Sequence, residues 1–314
     1  MAQFAFVFPG QGAQAIGMLN GFAGNPVVAQ TLAEANEALG FDLARLIAEG
    51  PKEEQDLTTN TQPIMLTASV AVYRAWLAAG GPVPSLVAGH SVGEYAALVA
   101  AGVIAFQDAV PLVRFRAQAM QEAVPVGQGG MAVVLGLPAD EVRALCAEAA
   151  AASASVVEAV NFNEPTQIVI AGYNAGVDKA CELAKAKGAK RAMKLAVSAP
   201  FHSSLLQNAS DRLRDYLQDI TFNAPQIGLI NNVDVAILND PAQIKDALVR
   251  QAAGPVRWVE TMQKFADGGI TQVIECAPSK VLIGMAKRID ARLVGESLGD
   301  QEALERVLSA IKQG

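Results

Sequence analysis

The sequence predicts an α/β fold in which a smaller unit is inserted into a core built on a parallel sheet. A short apolar run ends at Gly89, and a polar turn and an Ala-rich segment with helical spacing follow, which is the pattern of strand, turn and helix. Residues 131–197 alternate in the order strand, helix, strand, strand, helix, strand, which is the ferredoxin-like order. We therefore expect a discontinuous core of residues 1–127 and 198–314 around a subdomain of residues 128–197.

Composition narrows the classes of function. The chain has 314 residues, 52% of them hydrophobic, and a net charge of −7, so nothing indicates a nucleic-acid partner. The longest apolar run, residues 96–106, is too short to cross a bilayer, and the first four residues lack the charge of a signal peptide. We expect a cytoplasmic protein that does not enter a membrane.

The three cysteines, Cys146, Cys181 and Cys276, are odd in number, far apart and in no C-x-x-C pair. This spacing indicates buried thiols in a reducing compartment, with neither a metal site nor a disulfide framework.

At the N-terminus, residues 3–8 predict a strand that enters a loop at residues 9–12. A G-x-G-x-x-G motif would require glycine where Ala15 stands, and no G-K-[ST] follows, so we exclude a dinucleotide fold and a P-loop. The loop can instead present backbone N–H groups and the amide of Gln11. Helices are predicted over residues 25–50 and 61–80, the second with one apolar stripe at Leu66, Val70, Tyr73 and Leu77.

The turn after Gly89 holds Ser91 in the pattern G-x-S-x-G. This pattern is typical of a nucleophile elbow, a strained turn that exposes the serine hydroxyl at the end of a sheet strand. The flanking glycines let the two arms pass closely, and the free N–H groups of the following helix favour developing negative charge.

Residues 106–123 predict the next helix, with Arg116 on or beside its apolar stripe. A buried arginine is costly without a partner, and from spacing alone we expect a snorkelling side chain with its head group in water.

The predicted elements of the inserted unit are strands at 131–137, 156–162, 167–172 and 189–197 and helices at 139–151 and 175–188. Its hairpin turn, residues 161–165, contains asparagines that serve either turn geometry or a cleft facing the core. In the remaining core we predict helices at 205–220, 242–253 and 259–268, a strand at 225–233, a last strand at 272–276 and a helix that starts at a Ser279 cap.

A serine nucleophile needs a base, and the chain has two histidines, His90 and His202. Neighbouring side chains on a tight turn point apart, so His90 is poorly placed to serve Ser91. His202 is therefore the predicted base. The order serine then histidine, with α/β segments between them, matches the α/β-hydrolase-like arrangement.

No acidic residue stands at a clear strand end before His202, apart from Glu158 in the inserted unit. The group that orients the imidazole is therefore Asn231, Asn232 or a backbone carbonyl. A neutral orienter stabilises imidazolium less than a carboxylate does. Such a site fits an enzyme that hands its acyl group to a nucleophile other than water.

The motifs together resemble the bacterial malonyl-CoA:acyl carrier protein transacylases. The resemblance covers essentially the whole chain and rests on the motifs at residues 8–12, 89–95, 161–163, 200–203 and 249–251 and on Arg116. It implies an α/β-hydrolase-like core with an inserted ferredoxin-like subdomain. It also implies that malonyl-CoA malonylates Ser91, that His202 acts as base and then acid, and that the phosphopantetheine thiol of acyl carrier protein takes the malonyl group.

The resemblance implies further site residues. Arg116 would bind the malonyl carboxylate, and the backbone N–H groups of Gln11 and Val92 would form the oxyanion hole. Gln251 would be a pocket amide near His202. Substrate contacts would also come from Asn161 and from Phe201, which closes the pocket against α-branched acyl groups. One departure is Ala277-Pro278-Ser279-Lys280, where the family commonly has Gly-Pro-Gly-Lys.

We expect a monomer with no bound cofactor and no metal, with malonyl-CoA and acyl carrier protein as substrates. A serine esterase or thioesterase on the same elbow is the alternative, and a non-catalytic carrier-binding module is the third hypothesis. Basic residues that could dock CoA phosphates or an acidic carrier are Lys185, Lys187, Lys190, Arg191, Lys194, Lys287, Arg288 and Arg292.

Overall fold

The structure, a computed structural model, describes residues 3–197 and 199–313. The predicted domain boundary at Ser198 lies outside the described residues, as do Met1, Ala2 and Gly314. Within these ranges, no helix combines the length and the apolar character that crossing a bilayer requires.

The described residues form nine strands in two sheets. The strands are β1 (Phe4–Phe8), β2 (Leu86–Gly89), β3 (Gly129–Leu135), β4 (Val157–Glu164), β5 (Gln167–Tyr173), β6 (Arg191–Lys194), β7 (Gly228–Ile230), β8 (Gln272–Glu275) and β9 (Val294–Ser297). Five of them form a parallel sheet in the order β7-β2-β1-β8-β9. The other four form an antiparallel sheet in the order β4-β5-β3-β6.

Helices cover both sheets. They are α1 (Pro26–Leu39), α2 (Leu43–Glu49), α3 (Lys52–Gln55), α4 (Thr58–Ala78), α5 (Gly93–Ala100), α6 (Phe106–Glu122), α7 (Ala139–Ser153), α8 (Asn174–Ala186), α9 (Gln207–Tyr216), α10 (Pro241–Ala252), α11 (Trp258–Asp267), α12 (Ile283–Ile289) and α13 (Gln301–Gln313).

Strand β1 is the centre of the parallel sheet, and all five of its residues are buried. Side chains alternate between the two faces of a strand, so Phe4, Phe6 and Phe8 pack against α1, α4, α5 and α6, whereas Ala5 and Val7 pack against α11 and α12. Both faces are covered, which is the usual environment of a parallel sheet and explains the continuous apolar run in the sequence.

The antiparallel sheet has the strand order of a ferredoxin-like unit, with the connections β3-α7-β4-β5-α8-β6. One face packs on α7 and α8. The opposite face contributes Met131, Val160 and Val169 to an apolar cluster that includes Met120 of α6 and Phe201. The predicted mixed α/β architecture is confirmed, while the residue limits of the subdomain stay a prediction.

Strand β4 joins the small sheet to the core. The Val256 N–H donates to the Val160 carbonyl at 2.8 Å, and the Phe162 N–H donates to the Val256 carbonyl at 3.0 Å. Glu164 forms an ion pair with Arg288 of α12. Backbone bonds and an ion pair therefore fix β4 against the core.

Several predicted helices differ from the observed ones. The predicted helix at 25–50 is two helices, because Gly40 adopts a left-handed conformation with φ of 71° and ends α1. The predicted helix at 205–220 is α9 between two 3₁₀ turns. Helix α4 is buried nearly all round, not along one stripe, and Leu77 is among its exposed residues.

The strand predictions erred at the sheet edges. Strands β6 and β7 are shorter than predicted, and β9 follows β8, so the strand at 272–276 is not the last. Val294 in β9 is 60% exposed, and an exposed edge strand of four residues carries little apolar signal. The helix predicted to start at a Ser279 cap is α12, which begins later, at Ile283. Ser279 accepts a bond from the Val281 N–H in the loop before this helix.

Candidate active site

Ser91 lies at the sharp turn between β2 and α5 with a φ of 54°, a left-handed conformation that is rare outside glycine. A Cβ on Gly89 would lie 1.9 Å from the Gly93 carbonyl carbon, and a Cβ on Gly93 would lie 2.0 Å from the Phe8 carbonyl oxygen. Neither position can hold another residue without moving the backbone. The predicted strand-turn-helix elbow and the need for both glycines are confirmed.

His202 faces Ser91. The distance from Ser91 Oγ to His202 Nε2 is 2.7 Å, and His202 Nδ1 lies 2.9 Å from the Gln251 carbonyl oxygen. A carbonyl only accepts, so Nδ1 carries the proton and Nε2 is left as the acceptor for the serine hydroxyl. Burial, and then the charge of Arg116, lowers the pKa of His202 to about 3, so the imidazole is neutral at neutral pH.

The group that orients His202 is therefore a backbone carbonyl, one of the three predicted alternatives. The two asparagines are engaged elsewhere, and neither contacts His202. Asn231 donates to the Ala236 carbonyl, and Asn232 accepts from the Ser91 N–H at 2.9 Å. Glu158 accepts bonds from the backbone and the hydroxyl of Ser204, two residues after His202.

His90 is directed to other partners, as the tight turn predicts. Its Nε2 lies 2.7 Å from Asn163 Oδ1, and its ring meets Trp258 edge to face with centroids 5.5 Å apart. Burial lowers the pKa of His90.

Gln11 and Val92 both line the cavity in front of Ser91. The Ser91 N–H is occupied by Asn232, whereas within residues 3–197 and 199–313 no protein group accepts from the backbone N–H of Gln11 or Val92. Val92 is also the N-cap of α5, where the helix dipole is positive. The structure thus brings the two predicted oxyanion donors together at the serine.

Arg116 is only 1% exposed, which corrects the expectation of a snorkelling side chain. Its Nη1 donates to Gln62 Oε1 at 2.6 Å, and its Nη2 donates to Gln251 Oε1 at 2.8 Å and to Ser91 Oγ at 3.3 Å. Its hydrogen bonds in the described chain go to amide and hydroxyl oxygens and not to a carboxylate, and its Nε has no acceptor there. The guanidinium thus makes its side-chain hydrogen bonds to neutral groups beside the serine, and Glu94 acts on its charge from beyond ion-pair distance.

Gln251 is close to His202, as predicted, but its side chain lies behind the cavity wall and not in it. Its amide nitrogen donates to Glu94 at 2.9 Å and to the Ser91 carbonyl at 3.0 Å. Glu94 also accepts from the Asn232 N–H at 3.1 Å. Burial raises the pKa of Glu94 to about 7, against the lowering effect of these bonds and of Arg116.

The cavity has a volume of about 210 Å³ and is mostly apolar. Phe201, Met120, Met131 and Met285 contribute to its walls. Asn161 also lines it, and its buried Oδ1 has no hydrogen-bond partner in the described residues. The hairpin turn falls at residues 165–166, so the asparagines belong to β4. The pairing of β4 with β5 is irregular at two places there, and both asparagines line the cavity.

Sequence reasoning missed the polar groups behind the cavity. Thr58 donates to Gln11 Oε1 at 2.8 Å. Gln62 accepts from Arg116, and Glu94 accepts from Gln251. The signal for Glu94 was a charged residue inside the apolar elbow helix. Thr58 and Gln62 lie in the polar first turns of α4, and their spacing of four residues was the available signal. No cluster of three metal-ligating side chains occurs in the described residues.

An elbow serine, a neutral imidazole and two free N–H groups at one cavity are the parts of a site for serine-dependent acyl transfer. Comparison with known families agrees: the family described as "Acyl transferase domain" matches residues 5–309. The chain belongs to this acyl transferase family.

The more specific comparisons share one kind of name. "Malonyl CoA-acyl carrier protein transacylase" of Salmonella typhimurium is 50% identical over 310 residues, covering 98% of this chain and 100% of the relative. The solved acyl-carrier-protein S-malonyltransferase of Burkholderia pseudomallei is 66% identical with a TM-score of 0.96, covering 98% of this chain and 99% of that one. A malonyl-transacylase solved in complex with its type II PKS acyl-carrier protein is 47% identical with a TM-score of 0.96, covering 98% of this chain and 100% of that one.

Proposed function

We propose that this chain transfers a malonyl group from malonyl-CoA to the phosphopantetheine thiol of acyl carrier protein through a malonyl-Ser91 intermediate. The observation that carries the proposal is the buried Arg116, whose guanidinium has no carboxylate partner in the described chain and lies 3.3 Å from Ser91 Oγ. A buried cation without a carboxylate in ion-pair contact is costly, and an acyl group that ends in a carboxylate supplies that contact. The full-length relatives named above support the same activity.

In the first half-reaction, Ser91 Oγ attacks the thioester carbonyl while His202 Nε2 takes the hydroxyl proton. The N–H groups of Gln11 and Val92 stabilise the oxyanion that forms. Collapse of the tetrahedral intermediate breaks the carbon–sulfur bond, and the departing CoA sulfur takes the proton from His202.

The second half-reaction reverses these roles. The carrier thiol gives its proton to His202 and attacks the malonyl ester, and Ser91 recovers its proton as it leaves. The Gln251 carbonyl orients the imidazole without supplying a full negative charge. Imidazolium is therefore less stabilised than beside a carboxylate, which favours a thiol, more readily deprotonated than water, as the acceptor.

Selectivity for malonyl comes from the floor and walls of the cavity. Arg116 supplies a planar set of donors for the terminal carboxylate. Asn161 offers a buried amide whose Oδ1 has no hydrogen-bond partner among residues 3–197 and 199–313, and Phe201 limits the width available next to the thioester.

For the carrier, the predicted basic residues are partly neutralised. Lys187 pairs with Glu148, Lys194 with Asp178, and Arg288 with Glu164. We keep the set as the docking surface for carrier or CoA phosphates, and we keep the monomeric state and the absence of a cofactor as predictions. Electrostatic docking requires transfer to slow as salt rises to physiological ionic strength.

Intact-protein mass spectrometry with malonyl-CoA tests the function. The expected result is a malonyl adduct on the protein that persists in buffer and disappears when holo acyl carrier protein is added. Ser91→Ala removes the adduct, whereas the exposed Ser309→Ala serves as the matched control and keeps it. An adduct that water clears quickly indicates the esterase alternative. No adduct at Ser91 leaves the non-catalytic binding module.

A further inference from the structure

A line of hydrogen-bonded side chains runs from Arg116 to the loop that carries Gln11. Arg116 Nη1 donates to Gln62 Oε1 at 2.6 Å, Gln62 Nε2 donates to Thr58 Oγ1 at 3.3 Å, and Thr58 Oγ1 donates to Gln11 Oε1 at 2.8 Å. Thr58 and Gln62 are one helical turn apart on α4 and present their polar ends to the same side.

The directions of the first two bonds in this line follow from Arg116. A guanidinium only donates, so the oxygen of Gln62 must face Arg116 and its NH₂ must face Thr58. The Thr58 hydroxyl accepts that bond and has a single proton left, which goes to Gln11 Oε1. A flip of the Gln62 amide would turn its NH₂ toward the guanidinium and lose that bond.

Both connecting side chains are shielded from water, since Gln62 is 3% and Thr58 is 6% exposed. A buried polar group that loses its partner has no solvent to replace it, so the line holds as a unit. Its far end, Gln11, lines the same cavity as Ser91, and its backbone N–H has no acceptor in the described residues.

We propose that Thr58 and Gln62 are positioning residues that hold the carboxylate-binding guanidinium and the oxyanion loop in fixed relation. This inference rests on the proposed function for the roles of Arg116 and Gln11. The two residues should differ in effect because Thr58 bonds to Gln11, whereas Gln62 bonds to Arg116. Loss of the Thr58 hydroxyl releases the Gln11 end, which acts on every acyl group, and takes the acceptor from Gln62 Nε2 but leaves the bond between Arg116 and Gln62 Oε1 in place. Loss of Gln62 also releases Arg116, which acts on malonyl.

Three variants test the Thr58 step. Thr58→Val removes the hydroxyl at nearly constant shape, and Thr58→Ser restores it. Thr67→Val is the matched control, because Thr67 is a fully buried threonine of the same helix whose hydroxyl has no partner in the described residues. The measured quantities are the rate and the half-saturating donor concentration for acyl-Ser91 formation from malonyl-CoA and from acetyl-CoA.

We expect Thr58→Val to slow acylation about tenfold with both donors, less than the ~100-fold typical of removing an oxyanion donor, since the N–H is displaced and not deleted. Half-saturation should change by less than about twofold, because an interaction used mainly in the transition state affects kcat more than KM. Thr58→Ser should recover most of the rate, and Thr67→Val should match the parent. Gln62→Leu should slow the malonyl reaction more than the acetyl reaction.

A rate for Thr58→Val within twofold of the parent, an equal loss in Thr58→Ser, or an equal loss in Thr67→Val would overturn the proposal. If the parent protein forms no malonyl adduct, the proposed function fails separately. The burst of p-nitrophenol from p-nitrophenyl acetate then provides the rate, and a Thr58→Val loss that serine rescues still supports the positioning role.

Discussion

Replacement of Arg116 by methionine is the sharpest test of the acyl group that the cavity selects. Methionine follows the arginine stem and fills much of its volume, so the change removes the charge and its donors with little cavity formation. It leaves Gln62 Oε1 and Gln251 Oε1 without the donors that they have in the parent. The serine, the histidine and the oxyanion donors are untouched in sequence.

The magnitude follows from the contacts. A charge-assisted contact with the malonyl carboxylate contributes about 1.5–3 kcal/mol, which is roughly a tenfold to hundredfold preference for malonyl over acetyl. The parent guanidinium carries its desolvation cost in both reactions, so that cost cancels in the ratio of the two donors. We therefore expect Arg116→Met to bring the malonyl-to-acetyl ratio of kcat/KM down by that factor.

The assay is quenched-flow mass spectrometry of acyl-Ser91, with malonyl-CoA and acetyl-CoA in parallel. Arg114→Met is the matched control, because Arg114 lies two residues earlier on α6 and packs over the Phe41 ring, 4.6 Å from its centroid, and not in the cavity. Its ratio should equal that of the parent.

An unchanged ratio in Arg116→Met would refute the carboxylate role of Arg116, even if both rates fell together. A ratio that falls equally in Arg114→Met would assign the effect to the packing of α6 instead.

Two further predictions concern pH. Because the pKa of His202 is held at about 3, its imidazole stays neutral well below its ordinary pKa of 6.5. The rate of Ser91 acylation should therefore show no loss centred near pH 6.5 as the pH falls from 8 to 5. A loss of rate centred there would contradict the argument that burial keeps His202 neutral. Glu94 behaves in the opposite sense, because its pKa of about 7 in the folded chain lies above its ordinary 4.5. As the pH rises, the unfolded chain therefore loses this proton before the folded chain does. The contribution of Glu94 to the free energy of unfolding falls across that window by at most about 3 kcal/mol. Urea unfolding at pH 5 and pH 8 should show that Glu94→Gln removes this part of the slope, and an identical slope in parent and variant would exclude it.

The elbow and its base could be predicted because they depend on local chemistry. Two glycines around a serine between an apolar strand and a helix leave few other structures, and the chain has only two histidines to serve as base. The structure then brings Ser91 and His202 to 2.7 Å across 111 positions of sequence.

The environment of Arg116 could not be predicted from spacing. Whether an arginine on an apolar stripe extends to water or is enclosed depends on the elements packed over it, and these come from α4 and α10, far away in the chain. The same holds for Gln251, whose backbone and side chain serve different partners. Edge strand β9 escaped prediction for a different reason, since its exposed residues lack the apolar run of β1.

The backbone bonds between β4 and Val256 have a consequence for chimeras between relatives. Strand β4 contributes Val160 and Phe162 to the backbone seam with Val256, and Asn161 and Asn163 to the cavity wall. Its Glu158 binds the turn after His202. A transplanted small sheet must therefore bring a β4 with the same two pairing irregularities, or the recipient loses its cavity wall along with the seam. The crossover points for recombination lie outside residues 157–164, however exchangeable the rest of the inserted unit is.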